Sequence, residues 1–230
     1  MDTSKLVILR DPDSFETESY KLLRTNLNFK NSNHHLQVML LTSAGKQEGK
    51  STTIANLAIT FAQSNQKVLL IDCDLRQPKQ AGIFGINKMK TGLTNLMVDQ
   101  LPHETGVNSI PNLSLDVMTA GSKKVSAAEL LNSEDFEEMI KSFRKIYDLI
   151  LIDTPPVLSF ADASIISRVV DGVILVVASG ETKKAMVVES KKNLDKVGAN
   201  LVGVILTKMK FARNPEYYRY DYKKRKRHFL

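Results

Sequence analysis

The sequence predicts an α/β fold: a doubly wound, mostly parallel sheet with helices on both faces. Three observations lead there. Short runs dominated by Val, Ile and Leu recur at residues 36–42, 68–72, 113–118, 149–153, 172–177 and 201–206, each too continuous to be a strand with one wet face. Stretches with helical spacing of apolar residues lie between them, clearest at 134–146 and 183–196. Strands that alternate with helices are joined by crossovers, which make neighbouring strands parallel. No internal repeat is present, and 230 residues suffice for one core of ordinary size. A single domain over residues 1–207 is therefore expected, with a separate tail over 208–230.

Taken in order, residues 1–13 show little pattern beyond Leu6-Val7-Ile8-Leu9, which reads as a short strand or a docking segment. Over residues 14–29, Tyr20, Leu22, Leu23, Leu27 and Phe29 recur at helical spacing, with Asp13 or Ser14 as the cap. On this helix Glu18, Lys21 and Arg24 stand three apart and share a face, as a solvated row of ion pairs would. Asn31 to His35 is polar, so His34 and His35 read as solvated loop rather than metal ligands.

The strand at 36–42 is followed at once by Ala44-Gly45-Lys46-Gln47-Glu48-Gly49-Lys50-Ser51-Thr52. This stretch fits a phosphate-binding loop, with Ala44 in the first glycine slot, four residues, then Gly-Lys-Ser. Such a loop turns backbone N–H groups inward and opens a helix whose positive end faces the anion. Lys50 is then expected at the β- and γ-phosphates, and the Ser51 hydroxyl at Mg²⁺, which takes oxygen ligands. The competing reading is a turn that merely starts a helix. The position of the motif, between a buried strand and an Ala-rich helical pattern at 53–63, favours the phosphate loop.

Three carboxylates stand at strand ends. Val68-Leu69-Leu70-Ile71-Asp72-Cys73-Asp74 closes one strand with two acids two residues apart, and Ile150-Leu151-Ile152-Asp153 closes another. In an open parallel sheet the carboxyl ends of the strands are where ligands bind. With Ser51, these acids are expected to hold Mg²⁺, and one of them to accept a proton from an acceptor hydroxyl. Asp72 is the candidate base, and Asp74 is able to exchange roles with it. The lone Cys73 lies between acids that disfavour a thiolate, and reads as structural.

Charge and composition narrow the classes. The net charge of +7 resides entirely in residues 208–230, where nine basic residues face Glu216 and Asp221. The body is formally neutral, so nucleic-acid binding through it is not expected. A single cysteine excludes an internal disulfide, no leader pattern opens the chain, and no window nears the roughly 18 apolar residues of a membrane span. A cytoplasmic location is expected, with membrane contact peripheral or through a partner.

These residues also carry a resemblance. The loop at 44–52, the Asp72-Cys73-Asp74-Leu75-Arg76 stretch followed by Pro78, and Leu151-Ile152-Asp153-Thr154-Pro155-Pro156 resemble the Walker A, A′ and B motifs of bacterial tyrosine kinases of the capsular and exopolysaccharide type. Residues such as Phe84, Gly92-Leu93, Ala120-Gly121, Glu129-Leu130-Leu131 and Gly203 to Leu206 fall in family order, from Ser14 to Tyr222. The resemblance implies a P-loop NTPase fold related to MinD and ParA, with ATP and Mg²⁺ bound by residues 44–52, Asp72, Asp74, Asp153 and Arg76. It implies autophosphorylation of Tyr217, Tyr218, Tyr220 and Tyr222, offered by one subunit to its neighbour. It further implies a ring-like homo-oligomer built through Glu18, Lys21 and Arg24, a transmembrane adaptor of the polysaccharide co-polymerase type that activates the kinase at the inner face of the plasma membrane, and sugar-nucleotide enzymes as substrates.

The sequence departs from the pattern at Lys21, where the family has Arg. It departs again at Lys46-Gln47, where Pro-Gly is usual and a left-handed backbone would strain Gln47, and at Lys123, Lys124, Ala127 and Thr207. The alternative reading is a MinD- or ParA-like localisation ATPase with a basic membrane-binding tail. Gly45, where those relatives carry a signature Lys, speaks against it. The tail's +7 would be nearly cancelled by phosphorylating four tyrosines, at about −1.5 to −2 each, which would make it an electrostatic switch.

Overall fold

The computed structural model describes residues 4–87 and 91–209, the side chains of residues 31–34 excepted. The tyrosine cluster, and with it the expected switch, lies outside the described residues. The elements run α1 (Val7–Arg10), α2 (Phe15–His34), β1 (Val38–Ser43), α3 (Lys50–Ala62), β2 (Val68–Asp72), α4 (Gln80–Phe84), α5 (Leu93–Asp99), β3 (Val107–Ser109), β4 (Leu115–Met118), α6 (Ala127–Leu131), α7 (Glu134–Arg144), β5 (Leu149–Asp153), α8 (Asp162–Ile166), β6 (Gly172–Ala178), α9 (Lys184–Lys196) and β7 (Leu201–Thr207).

The strands form one sheet in the order β3-β4-β2-β5-β1-β6-β7, parallel throughout except where β3 pairs antiparallel with β4. Side chains alternate across the sheet, and the alternation sorts the apolar residues into two cores. Met39, Leu41, Val68, Leu70, Leu149, Leu151, Ile174 and Val176 face one way and pack with Ile54, Ala58 and Phe61 of α3 and with Leu27 of α2. Val38, Leu40, Leu69, Ile71, Ile150, Ile152, Val173 and Leu175 face the other, against Phe136, Ile140 and Phe143 of α7 and Leu194 of α9. The fold is thus the doubly wound α/β arrangement expected.

This alternation also aims the acids. Asp72 shares the parity of Val68 and Leu70, and Asp153 that of Leu149 and Leu151, so both carboxylates point toward the α3 face. Adjacent strands pair Asp72 with Asp153, and Leu41 of β1 with Asp153, so three strand ends meet where α3 begins.

Several expectations need correction in detail. Leu6 to Leu9 is no strand: α1 docks against α3, with Leu6, Val7 and Ile8 buried. The tie is Asn56 on α3, whose amide donates to the Lys5 carbonyl at 2.7 Å and accepts from Ile8 N–H at 3.3 Å. The helix expected to end at Phe29 runs on to His34, and the chain turns at the exposed His35, whose φ is 48°. β3 was not foreseen, because Val107-Asn108-Ser109 carries no apolar run.

Candidate active site at the head of α3

The loop from Ala44 to Gly49 joins β1 to α3 and is braced from three sides. Ala44 N–H donates to Glu48 Oε2 at 3.1 Å, the Thr182 hydroxyl donates to Glu48 Oε1 at 2.6 Å, and the Thr207 hydroxyl donates to the Glu48 carbonyl at 2.6 Å. Glu48 is nearly buried, so this acid serves the loop and not the ligand. Gly49 has φ 85°, which glycine adopts without penalty, whereas Gln47 has φ 59°, a left-handed backbone that strains a residue standing where glycine is usual. An open cleft of about 310 Å³ lies over the loop, walled by Gly45 to Thr52 on one side and by Asp74, Gln77 and Lys79 on another.

Lys50, the first residue of α3, turns its ammonium into the meeting point of the strand ends. It lies 2.6 Å from Asp153 Oδ1, 3.6 Å from Asp74 Oδ2 and 3.2 Å from the Ser51 hydroxyl. Burial alone would lower the Lys50 pKa; Asp153, Asp74 and Asp72 outweigh it and hold the pKa above its usual value. Lys50 is therefore a permanent cation, held where an anionic phosphate can exchange with carboxylate.

Asp72 and Asp74 play different parts. Asp72 is completely buried and its oxygens are engaged: Oδ2 accepts from the N–H groups of Lys79 and Gln80 at 2.9 Å each, and Oδ1 from Asp74 N–H at 3.2 Å. Burial first, and then the charge of Asp153, push its pKa up to about 8. Asp74 lines the cleft, with Oδ1 accepting from Gln77 N–H at 3.0 Å. Of the two carboxylates left open as base by the sequence, only Asp74 is presented to a ligand. Asp72 holds the turn that carries it.

Arg76 stands apart from the expected nucleotide contacts. Its guanidinium donates to both oxygens of the buried Asp162, at 3.2 and 3.1 Å, and lies over the Phe160 ring with its carbon 4.0 Å from the centroid. The Nε/Nη2 edge is matched to this carboxylate, so Arg76 braces the loop after β2 against the start of α8, and it is not among the residues that line the cleft. The Asp162 partner, 86 residues on, carried no signal in the sequence. Gln80 carried no signal either, though it joins the site through its main-chain and side-chain nitrogens, and Thr207, noted in the sequence as a departure, braces the loop through its hydroxyl. Cys73 is buried, and burial followed by the charge of Asp72 pushes its thiol pKa well above the usual range, in keeping with a structural role.

On α2, Lys21 pairs with Glu18 at 2.7 Å, both exposed, but Arg24 leaves that row and donates to the Thr60 carbonyl near the end of α3 at 2.7 Å. Leu22 and Phe29 of the same helix are exposed.

The donor set suits Mg²⁺, since Ser51 and Asp74 offer oxygens at the cleft wall and Asp153 offers a third just behind them. Both oxygens of Asp72 and of Asp153 already accept hydrogen bonds, so these two acids would support such an ion from behind and not as its open ligands.

Comparison with known proteins identifies the family. A family model described as an AAA domain matches residues 45–188. The chain is 37% identical over 212 residues to tyrosine-protein kinase YwqD of Bacillus subtilis, covering 92% of this chain and 89% of that protein. The solved kinase domain of Escherichia coli tyrosine kinase ETK is similar with a TM-score of 0.86 and 29% identity, covering 90% of this chain and 82% of that one. MinD of Pyrococcus horikoshii, complexed with Mg-ADP, is similar with a TM-score of 0.63 over 74% of this chain and 69% of that one, and at 23% identity the likeness is one of fold. With more than a third of its residues identical to YwqD along nearly the full length of both chains, and the fold of the ETK kinase domain, the chain belongs to the bacterial tyrosine-protein kinase family.

Proposed function

We propose that the chain is an ATP-dependent protein-tyrosine kinase that moves the γ-phosphoryl group of ATP onto tyrosine hydroxyls. The observation that carries this reading is Lys50, buried at the head of α3 and shared between Asp153 and Asp74 beside an open cleft. In the reaction, the phenol oxygen attacks the γ-phosphorus, the bond to the β,γ-bridging oxygen breaks, ADP leaves, and the phenolic proton passes to a carboxylate. A phenol of pKa near 10 keeps its proton at pH 7, so a base adds driving force. Asp74 is proposed as that base, because it lines the cleft and Asp72 does not.

The amides of residues 45–50 and Lys50 hold the phosphates, and positioning with charge neutralisation supplies most of the catalysis. Mg²⁺, held by Ser51 and Asp74 and backed by Asp153, would neutralise charge on the phosphate oxygens. Tyr217, Tyr218, Tyr220 and Tyr222 are the proposed acceptors, presented to a neighbouring subunit. The exposed Glu18–Lys21 pair with Leu22 and Phe29 supports self-association through α2.

Among the described residues no helix is long and apolar enough to cross a membrane. A membrane adaptor is proposed as the partner that activates this kinase domain, which is similar to the kinase domain of ETK. The proposed role is control of capsular or extracellular polysaccharide synthesis, with sugar-nucleotide enzymes as further substrates. The test is incubation with Mg-ATP, with and without the cytoplasmic segment of a candidate adaptor, and mapping of phosphate by mass spectrometry. Label on Tyr217 to Tyr222 that is absent in Lys50→Met and Asp74→Asn is expected. ATP hydrolysis with no tyrosine label would favour the localisation-ATPase reading instead.

A further inference from the structure

Gln80, at the start of α4, is fully buried and touches three parts of the site at once. Its main-chain N–H donates to Asp72 Oδ2 at 2.9 Å, and its side-chain nitrogen donates to Asp153 Oδ2 at 2.7 Å and to the Ser51 carbonyl at 3.2 Å. The Asp153 carboxylate can only accept, and this fixes the amide with its nitrogen toward it. Gln80 Oε1 is then left in the interior with no hydrogen-bond partner. A buried amide oxygen without a donor is costly, and native proteins rarely leave one without a reason.

The donors around it are already committed. Lys50 serves Asp153, Asp74 and Ser51, while the N–H groups of Asp74, Lys79 and Gln80 serve Asp72. Lys50 also occupies the other oxygen of Asp153, so Gln80 and Lys50 between them fix that carboxylate. No protein donor is left for Oε1, which leaves a water, and Ser51, whose carbonyl the same amide holds, lines the cleft. The ligand whose chemistry suits the surrounding oxygens brings such donors, since Mg²⁺ dehydrates reluctantly and keeps several polarised waters.

We propose that Gln80 is a positioning residue for the metal-nucleotide: its amide nitrogen fixes Asp153 and the Ser51 main chain, and its unpartnered Oε1 accepts a hydrogen bond from a water of the incoming magnesium ion. This rests on the reading of the cleft as an ATP site and goes further by assigning a residue that couples metal to nucleotide. A packing role alone would weaken metal-free and metal-loaded nucleotide alike, whereas the assigned role acts on the metal-loaded form.

The test is isothermal titration of the full chain with ADP, once with Mg²⁺ and once with a chelator, for wild type, Gln80→Leu and the unbranched Gln80→Met. Electron paramagnetic resonance of Mn²⁺ in the ADP complex reads the ion directly, and circular dichroism checks folding. The expected result is metal-free ADP affinity within about twofold of wild type. The gain that Mg²⁺ confers should fall roughly tenfold, the size of one charge-assisted hydrogen bond, with weaker Mn²⁺ binding to match. An unchanged magnesium gain in either folded variant, or an equal fall with and without metal, would overturn the assignment. Absence of Mg-ADP binding by the wild type would instead overturn the ATP-site reading beneath it.

Discussion

Replacing Lys50 by methionine should destabilise the nucleotide-free protein much more at pH 8 than at pH 5. The Lys50 side chain is 7% exposed, and its ammonium is shared by Asp153 at 2.6 Å and Asp74 at 3.6 Å. Methionine keeps the apolar stem and removes the charge. Leaving one partner of a buried pair uncompensated costs about 3–5 kcal/mol. A carboxyl can escape that cost by taking up a proton, at about 1.4 kcal/mol per pH unit above its ordinary pKa near 4. At pH 5 the escape costs only ~1–2 kcal/mol, so protonation caps the damage. At pH 8 the escape would cost ~5 kcal/mol or more, and the full electrostatic penalty is felt. The Lys50 pKa is raised, so its contribution in the wild type is complete below its unfolded value and is lost only as pH rises through the still higher folded value. The lysine thus stays charged across the whole comparison. Urea unfolding followed by circular dichroism, at both pH values, should show a loss larger by ~2–3 kcal/mol at pH 8. The double variant Lys50→Met/Asp153→Asn should recover most of it. Equal losses at the two pH values would refute the idea that Lys50 is held by charge and not by packing.

Asp72, pushed up to about 8 by burial, keeps its proton in the folded state between roughly pH 4 and 8, where the unfolded chain has lost it. The folded state then binds more protons, so this group makes stability fall as pH rises through that window and level off above it; Asp72→Asn should flatten thermal midpoints measured from pH 5 to pH 8. Gln47→Gly should relieve the left-handed strain at φ 59°, worth about 1 kcal/mol and partly offset by the freedom of glycine in the unfolded chain. The β-branched Gln47→Val should lose at least ~1 kcal/mol by urea midpoint, because the same φ suits it less.

The parts of the site that were legible in the sequence are those set by local grammar. Gly49-Lys50-Ser51 at a strand-to-helix junction and Asp72 or Asp153 at the end of an apolar run each need only a few neighbours to be recognised. The strand limits at 68–72 and 149–153 fall where the sequence places them, since each apolar run ends at an acid. What was hidden depends on partners far along the chain. Arg76 finds Asp162 86 residues away, and Gln80 finds Asp153 73 residues away. Nothing near Arg76 reveals that one edge of its guanidinium is already taken. α1 was ambiguous because four apolar residues fit a strand as well as a helix, and only Asn56 and the surface of α3 choose between them.

The sequence by itself determined the class of fold, the phosphate loop and the stock of acids around it, because periodicity and motif spacing are local properties of the chain. Tertiary structure decided what each acid does. Both sides of a parallel strand are apolar, so the sequence cannot tell which side will carry α3 and its lysine. Once the sheet closes in the order β2-β5-β1, Asp153 turns to Lys50, Asp72 is sealed beneath the turn it holds, and Asp74 alone of the pair after β2 is left at the cleft wall.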